Sequence, residues 1–474
     1  VTTRNPDFRQ LGSLGFLELS GLEKEEALQL LLTRAEIPKP WDSSIRQTGS
    51  AITKALGYLA LALVHAGTCI CKRVCKLGEY LSHHSSSRHH IQHRRVSTSN
   101  GSDYNNDEDD DVVKTVYSAF DVSLNFISRK HTIRSQDTLE LLRIICFYHF
   151  EHIPVELFDR SILNGRKAMQ NATIDSFGSR LWNATMKRFE PPKNLPRFLN
   201  TNEGQLDKYR VTWAISELQS LSLIAYDGRD STFSLHPLVH AWARDSLSVC
   251  DRKIWASVAL NTLFQSFLLP PDGSPENDGE FHGQILPHLE ACLSEYGKPL
   301  TESIDLISNF RLKVTLVFSP TFRFIMRDQI VNTAKCGYIF AARGRFKEST
   351  IYLEAVKHSL MRSAGNKNEK TIFAMLALAR VYWGLGRLEE AIELQKNVVR
   401  TRLKINGPQH ADTLQAMDQL GQSYWLHGQY QESLSLQQLT TERMKATMGS
   451  DDLKTLAALD NLGVTLGAWH RFEE

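Results

Sequence analysis

The feature that most constrains this chain is a self-similarity at a period of 42 residues near its C-terminal end. Gly344-Arg345-Phe346-Lys347-Glu348-Ser349 recurs as Gly386-Arg387-Leu388-Glu389-Glu390-Ala391, as Gly428-Gln429-Tyr430-Gln431-Glu432-Ser433, and in shortened form as His470-Arg471-Phe472-Glu473-Glu474. Thr371, Thr413 and Thr455 keep the same period. So do the small residues Gly337, Ala379, Gly421 and Gly463, followed one turn later by Phe340, Tyr382, Tyr424 and Leu466. A unit of this length reads as a helix, a tight turn and a second helix, and no such unit buries its apolar face alone. Neighbours must stack, so the segment is expected to be an α-solenoid.

A small residue, an aromatic one turn later and then Gly-x-aromatic-x-Glu-Ala together resemble tetratricopeptide repeats, and the 42-residue period resembles the kinesin light chain type. The resemblance covers residues 329–474 and implies binding of a protein or peptide partner along the face of the first helices. On the usual alignment Arg380, Trp383, Gln422 and Trp425 would face that groove. The two tryptophans have a second reading as inter-repeat packing, because an aromatic at helical spacing is commonly core. The last unit lacks its second helix, so Leu462, Leu466 and Phe472 are expected to be exposed. The chain also starts at Val1 without a methionine, and both ends read as cut.

At 474 residues the length leaves room for about three domains. A balance of 55 basic against 53 acidic residues gives no general argument for nucleic-acid or membrane binding. Seven cysteines without a regular framework point to reduced thiols and a cytoplasmic setting. No signal peptide and no apolar run of membrane-spanning length is present in the sequence.

In chain order, Val1-Thr2-Thr3-Arg4-Asn5-Pro6 reads as a strand end and loop, and Phe16 to Leu22 as a second short strand. Glu23 to Ala35 reads as a helix with an acidic first turn, and Ile45 to Leu77 as mostly helical with a break at Gly57. Residues 83–111 pass from a Ser/His tract to an acidic block, a composition expected to be a disordered insertion. The histidines there, with Cys69, Cys71 and Cys75 nearby, match no standard zinc spacing, and no metal site is assigned.

From Val113 helical spacing returns, through Leu139 to Phe150, a helix led by Pro154, and Lys208 to Leu223. A hairpin follows around Asp227-Gly228. Helices followed by a helix and a β wing make residues 112–250 a winged-helix domain, with a loop-rich insertion near 160–207. The Ile215 to Leu221 segment has no row of Arg or Lys for DNA. Phe233 to Leu235 alternates like a strand, Pro237 suits a first helical residue, and His236 stands at the corner, where one reading makes it a helix cap. Residues 251–328 read as a helical connector, with helices over Asp251 to Leu269 and Gln284 to Lys298 and a loop between them running to Gly279.

Leu235-His236-Pro237-Leu238-Val239 resembles the Met-His-Asp-Leu-Val motif closing the winged-helix part of NB-ARC proteins, the nucleotide-switch (STAND-class) family of plant and fungal immune receptors. The aspartate of that motif is replaced by Pro237. Thr2-Thr3-Arg4 is similar to the family's late core strand, where the arginine sits near the terminal phosphate of the nucleotide. Gly57-Tyr58-Leu59-Ala60-Leu61-Ala62-Leu63 is similar to its Gly-Leu-Pro-Leu-Ala-Leu element beside the adenine, with Leu59 in the proline position.

The resemblance implies a mainly α chain. Residues 1–22 would be a remnant of an α/β nucleotide-binding domain, 23–82 a small helical domain, then the insertion, winged helix, connector and repeats. It also implies a signal-transducing ADP/ATP switch in fungal immunity or self/non-self recognition, with Arg4, Gly57, Leu59 and His236 as nucleotide-binding residues and a homo-oligomer on activation. No Gly-x-x-x-x-Gly-Lys-Ser/Thr loop and no magnesium-holding acidic strand end is present, so this chain is not expected to hydrolyse ATP, and no nucleotide is assigned to this chain alone. The competing reading is a protein-interaction scaffold without nucleotide control.

Overall fold

The computed structural model describes residues 22–96, 107–164, 196–199, 209–269, 275–296 and 320–468. It is predominantly α-helical with one small open sheet. Two compact units, Val1–Thr262 and Leu263–Glu474, divide the chain. Arg4, the strand expected over Phe16 to Leu22, most of the 160–207 insertion and Phe472 lie outside the described residues.

The first unit opens with helices α1 (Lys24–Arg34), α2 (Ser43–Ala55) and α3 (Ala60–Cys71). Glu23 caps α1 through a reciprocal box with Glu26, and Asp42 accepts the Ile45 N–H to start α2. Leu28, Leu31 and Leu32 of α1 are buried at the i, i+3, i+4 spacing that sequence periodicity predicts, as are Ile52 of α2 and Leu63 and Ala66 of α3, the helices on which α1 packs.

Helices α4 (Tyr80–Val96) and α5 (Asp107–Arg129) reach from both sides into residues 83–111, where composition predicts disorder. The reason is a helical face that composition hides. Tyr80, His84 and Ser87 lie one and two turns apart and are all buried. The His84 Nε2 lies 3.2 Å from the Thr115 carbonyl oxygen on α5. Residues 97–106 are not among those described.

Helix α6 (Ile133–Ile145) starts earlier and ends earlier than its apolar pattern predicts, because Thr132 and Ser135 form a capping box. Ile153–Pro154 is strand β1, not the start of a helix, since Ile153 pairs with Phe233; the next helix, α7, covers residues 156–164. Helix α8 (Tyr209–Ser220) leads into the hairpin of β2 (Ile224–Asp227) and β3 (Thr232–Leu235). The sheet is antiparallel in the order β1-β3-β2. Helix α9 (Pro237–Asp245) follows, and its Trp242 donates from the indole N–H to buried Asp121 on α5 at 2.8 Å.

After α10 (Val249–Gln265), the second unit continues with α11 (Pro275–Tyr296), which runs through Gly279 and so begins well before the loop end expected there. The repeats are α12 (Pro320–Ala342) with α13 (Phe346–Ala364), α14 (Glu369–Gly384) with α15 (Leu388–Ile405), α16 (Ala411–Leu426) with α17 (Tyr430–Met448), and α18 (Leu453–Ala468). Each helix packs on the next in sequence, and Ile372, Met375, Leu414, Met417, Leu420, Met444 and Ala458 form one core running through successive units.

No described helix is long and apolar enough to cross a membrane.

Candidate partner-binding surface

The repeat period translates into a repeated turn. Gly344, Gly386 and Gly428 have φ of +72°, +73° and +78°, the left-handed conformation that closes the first helix of each unit without a Cβ clash. The arginine that follows folds back over the aromatic of the same helix: Arg345 lies 5.0 Å from the Phe340 ring centroid and Arg387 4.3 Å from that of Tyr382. Both arginines also hold the glutamate three residues on, Glu348 and Glu390, at 2.8 and 2.9 Å. Gln429 replaces the arginine in the third unit, so its turn has neither contact.

The small-residue column decides how closely paired helices approach. A Cβ on Gly337 would lie 2.7 Å from the Leu353 side chain, and one on Gly421 2.7 Å from that of Gln437. Ser349 and Ser433 donate to the carbonyls of those two glycines at 2.7 Å, latching second helix to first. Ala391 has no hydroxyl for this, and Ala379 stands at the small-residue position there, so the middle unit packs by apolar contact.

Neighbouring units are also stapled by a buried cation. Arg402 of α15 is 3% exposed and reaches Glu369 at the start of α14 and Asp412 at the start of α16. Removing such a cation from water is costly unless its partners are held, and here each partner opens a helix of a different unit.

The first helices carry the exposed face. On α14, Phe373 is 44% and Trp383 46% exposed, with Arg380 exposed between them, so the three follow one helical face. Arg380 also lies close enough to Tyr338, 42 residues earlier, to lower that phenol's pKa against the larger, raising effect of burial. On α16 the pattern differs. Gln422 is half-buried and donates to Asp418 at 2.9 Å, and Asn461 of α18 donates to the same carboxylate at 3.0 Å. Burial pushes the Asp418 pKa up despite those two bonds. Trp425 is half-buried with its indole nitrogen enclosed. The structure therefore gathers Phe373, Arg380 and Trp383 on an open face and leaves Gln422 and Trp425 half-buried on α16. Phe373 and Asp418 were missed in the sequence, although each lies a whole number of turns from a residue that was singled out.

Beyond Asp418 the face ends on α18, where Leu453, Leu456 and Val464 are 82%, 47% and 51% exposed. Leu462 and Leu466, expected to be exposed, are half-buried, because α18 still packs one side on α17.

At the start of the array, Lys335 is buried and donates to the carbonyls of Phe264 and Phe267, the latter at 2.7 Å. His282 of α11 packs edge-on to Phe267 and Tyr338.

The residues assigned to a nucleotide sit at two corners of the first unit. Gly57 (φ +61°) and Tyr58 (φ +56°) form the turn between α2 and α3, and Leu59 is the N-cap of α3. Leu59 has φ of −79°, a value proline also takes, and its N–H closes the turn on the Leu56 carbonyl at 3.2 Å. The turn expected from a proline is thus made with a hydrogen bond that proline lacks. His236 is exposed and is the N-cap of α9, its Nδ1 accepting the Leu238 N–H at 3.2 Å. Among the described residues no group of three or more His, Cys, Asp or Glu gathers to hold a metal ion. Cys69 instead meets Ser123 at 3.0 Å and His65 at 3.7 Å in the core.

Comparison with known proteins matches residues 371–446 to the tetratricopeptide repeat family. Among solved structures, the chain is similar to Podosopora anserina kinesin light chain nearly identical TPR-like repeats at 19% identity, covering 42% of this chain and 84% of that one with a TM-score of 0.32. It is similar to BtubC (BKLC) from P. vanneervenii at 14% identity over 47% and 76% of the two chains, TM-score 0.32. It is also similar to a signal transduction ATPase with numerous domains carrying a tetratricopeptide repeat sensor, from Pyrococcus horikoshii, at 13% identity over 95% and 58%, TM-score 0.31. No curated protein matches. Residues 371–446 of the array are thus of tetratricopeptide-repeat type.

Proposed function

We propose that the array binds a protein or peptide partner on the face of its first helices, with Phe373, Arg380 and Trp383 as the main contacts. The observation that carries this is the exposure of two large aromatics on either side of an exposed guanidinium on one helix of a tetratricopeptide repeat. Aromatic and arginine side chains dominate protein interfaces because they bury much area at small entropic cost. Gln422 and Trp425 support the face from α16. The test is selection of peptide ligands from a random display library by the full chain, followed by Arg380→Glu and Trp383→Ala. A selected peptide is expected to lose at least about tenfold in affinity to either variant. Ligands that bind both variants as tightly as the parent chain would remove the assignment.

A second reading places the array as the sensor of an ADP/ATP switch in the intact protein, with residues 23–82 as its small helical domain and 112–250 as its winged-helix lid. Two observations favour it: the formed turn at Gly57 to Leu59 despite the missing proline, and His236 standing at a strand-to-helix corner. In this reading ADP holds the lid closed through His236, partner binding favours opening, and ATP exchange permits oligomerisation. Each ligand shifts that equilibrium only by its differential affinity for the two states. Seven cysteines, none in a disulfide, support a reducing, cytoplasmic setting. In a longer protein carrying a phosphate-binding loop, ADP retention is expected to fall in His236→Ala; retention equal to the parent removes that role.

A further inference from the structure

One polar cleft of the first unit takes no part in either reading. Its volume is about 400 Å³, and it opens between the C-terminal ends of α1 and α3 on one side and α8 with its following turn on the other. Twelve residues of helix, about 18 Å, separate it from the Gly57 to Leu59 corner at the other end of α3.

Its lining is rich in donors. Arg34 and Lys72 bring two exposed cations, and neither has an ion-pair partner among the described residues. The Thr68 hydroxyl donates to the Val64 carbonyl and meets Ser222 across the cleft at 3.0 Å, and Ser220 donates to the Glu217 carbonyl, which leaves the exposed Ser216 hydroxyl and Gln219 amide of α8 as further donors in the lining. The single carboxylate, Glu36, lies near Cys71, whose thiol pKa is held up by burial and then by that carboxylate. The side-chain charge is therefore positive.

Helix C-termini ordinarily repel anions because their last carbonyls are unsatisfied. Here three of the last four carbonyls of each helix are occupied. Glu36, Arg73 and Ser222 all adopt left-handed backbone, φ of 55°, 56° and 56°, and wrap each helix end upon itself. Their N–H groups and those of Ile37, Val74 and Leu223 bond back to Thr33, Leu32, Ile70, Cys69, Gln219 and Leu218. What faces the cleft is left to the side chains.

We propose that this cleft binds a phosphoryl group, with Arg34 and Lys72 taking the charge and the Ser216 hydroxyl and Gln219 amide the remaining oxygens. A phosphate fits because it accepts several hydrogen bonds at once from both a fork of donors and a point charge. Bound there, it would join α1 and α3 to α8, which at this cleft share the hydrogen bond between Thr68 and Ser222.

The test is calorimetric titration of the full chain at constant ionic strength with inorganic phosphate and, separately, with phenyl phosphate. Saturable binding is expected, weakened about tenfold or more by Arg34→Gln with Lys72→Gln and retained by Lys72→Arg. Saturation by phenyl phosphate assigns the site to a phosphate ester, and saturation by inorganic phosphate alone assigns it to the free anion. No saturation into the tens of millimolar, an equal response to chloride, or unchanged affinity in the double variant overturns the proposal. Both substituted side chains are exposed, so the double variant is expected to fold, and its circular dichroism spectrum checks this.

Discussion

The two units hold themselves together by opposite strategies. In the array the same contact is made again every 42 residues: the left-handed glycine, the arginine over its aromatic, the serine on the carbonyl of the small residue. In the first unit the decisive polar contacts are each made once and between distant positions. Asp137 receives both fork nitrogens of Arg210, 73 residues away, at 2.6 and 2.7 Å. Asp121 receives Trp242, and Thr68 meets Ser222. A stack of neighbours fails locally, whereas a core built on single long-range pairs fails as a whole.

The strongest way to break this contrast is Asp137→Ala. It leaves the largely buried Arg210 guanidinium without its carboxylate and is expected to destabilise the first unit by about 3–5 kcal/mol, measured by urea denaturation. Protection of array amides from hydrogen exchange is expected to stay near that of the parent.

Acid should separate the units. Burial lowers the His65 pKa to about 4, so between that value and about 6.5 the unfolded chain binds a proton that the folded chain does not. Stability of the first unit therefore falls as pH drops through this window, by about 2 kcal/mol at pH 5. Asp418 in the array has its pKa raised by burial, so the folded state takes up a proton more readily than the unfolded state and acid does not destabilise the array through this group. Urea midpoints read separately from the two units across pH 7 to 5 are expected to diverge. Parallel movement would contradict the assignment.

Gly337→Val tests locality within the array. The new side chain meets Leu353 and should cost about 1–3 kcal/mol, with faster hydrogen exchange confined to α12, α13 and their neighbour α14. Uniform loss across all units would show that the array unfolds as one body. The smallest effect is expected for Trp383→Ala, about 1 kcal/mol or less, because nearly half of its surface is exposed; a loss comparable to a core truncation would place that tryptophan in the packing instead.

Much of the fold was legible beforehand, for reasons particular residues show. Helix α1 announced itself by Leu28, Leu31 and Leu32 at helical spacing, and the hairpin by Asp227-Gly228 between alternating strands. Helix α4 did not, because its inward face is Tyr80, His84 and Ser87, and a buried histidine or serine is indistinguishable in sequence from a solvated one. Ile153 and Pro154 gave no strand signal, since two residues carry no period. Within the candidate surface, Trp383 and Trp425 occupy equivalent positions, yet one is open and the other enclosed. That difference is tertiary, since the two stand at the same place in the repeat.

The sequence by itself determined that residues 329–474 form a stacked array and where each of its turns falls, because every contact that makes a unit lies within that unit or its neighbour and so repeats with it. It also placed a corner at His236. The tertiary structure alone decided which positions on the shared face stay open, that the turn at Gly57 closes without a proline, and that Arg34, Lys72, Thr68 and Ser222 converge on one cleft. Those outcomes depend on groups brought together from separate helices, and no local periodicity of the chain encodes such a meeting.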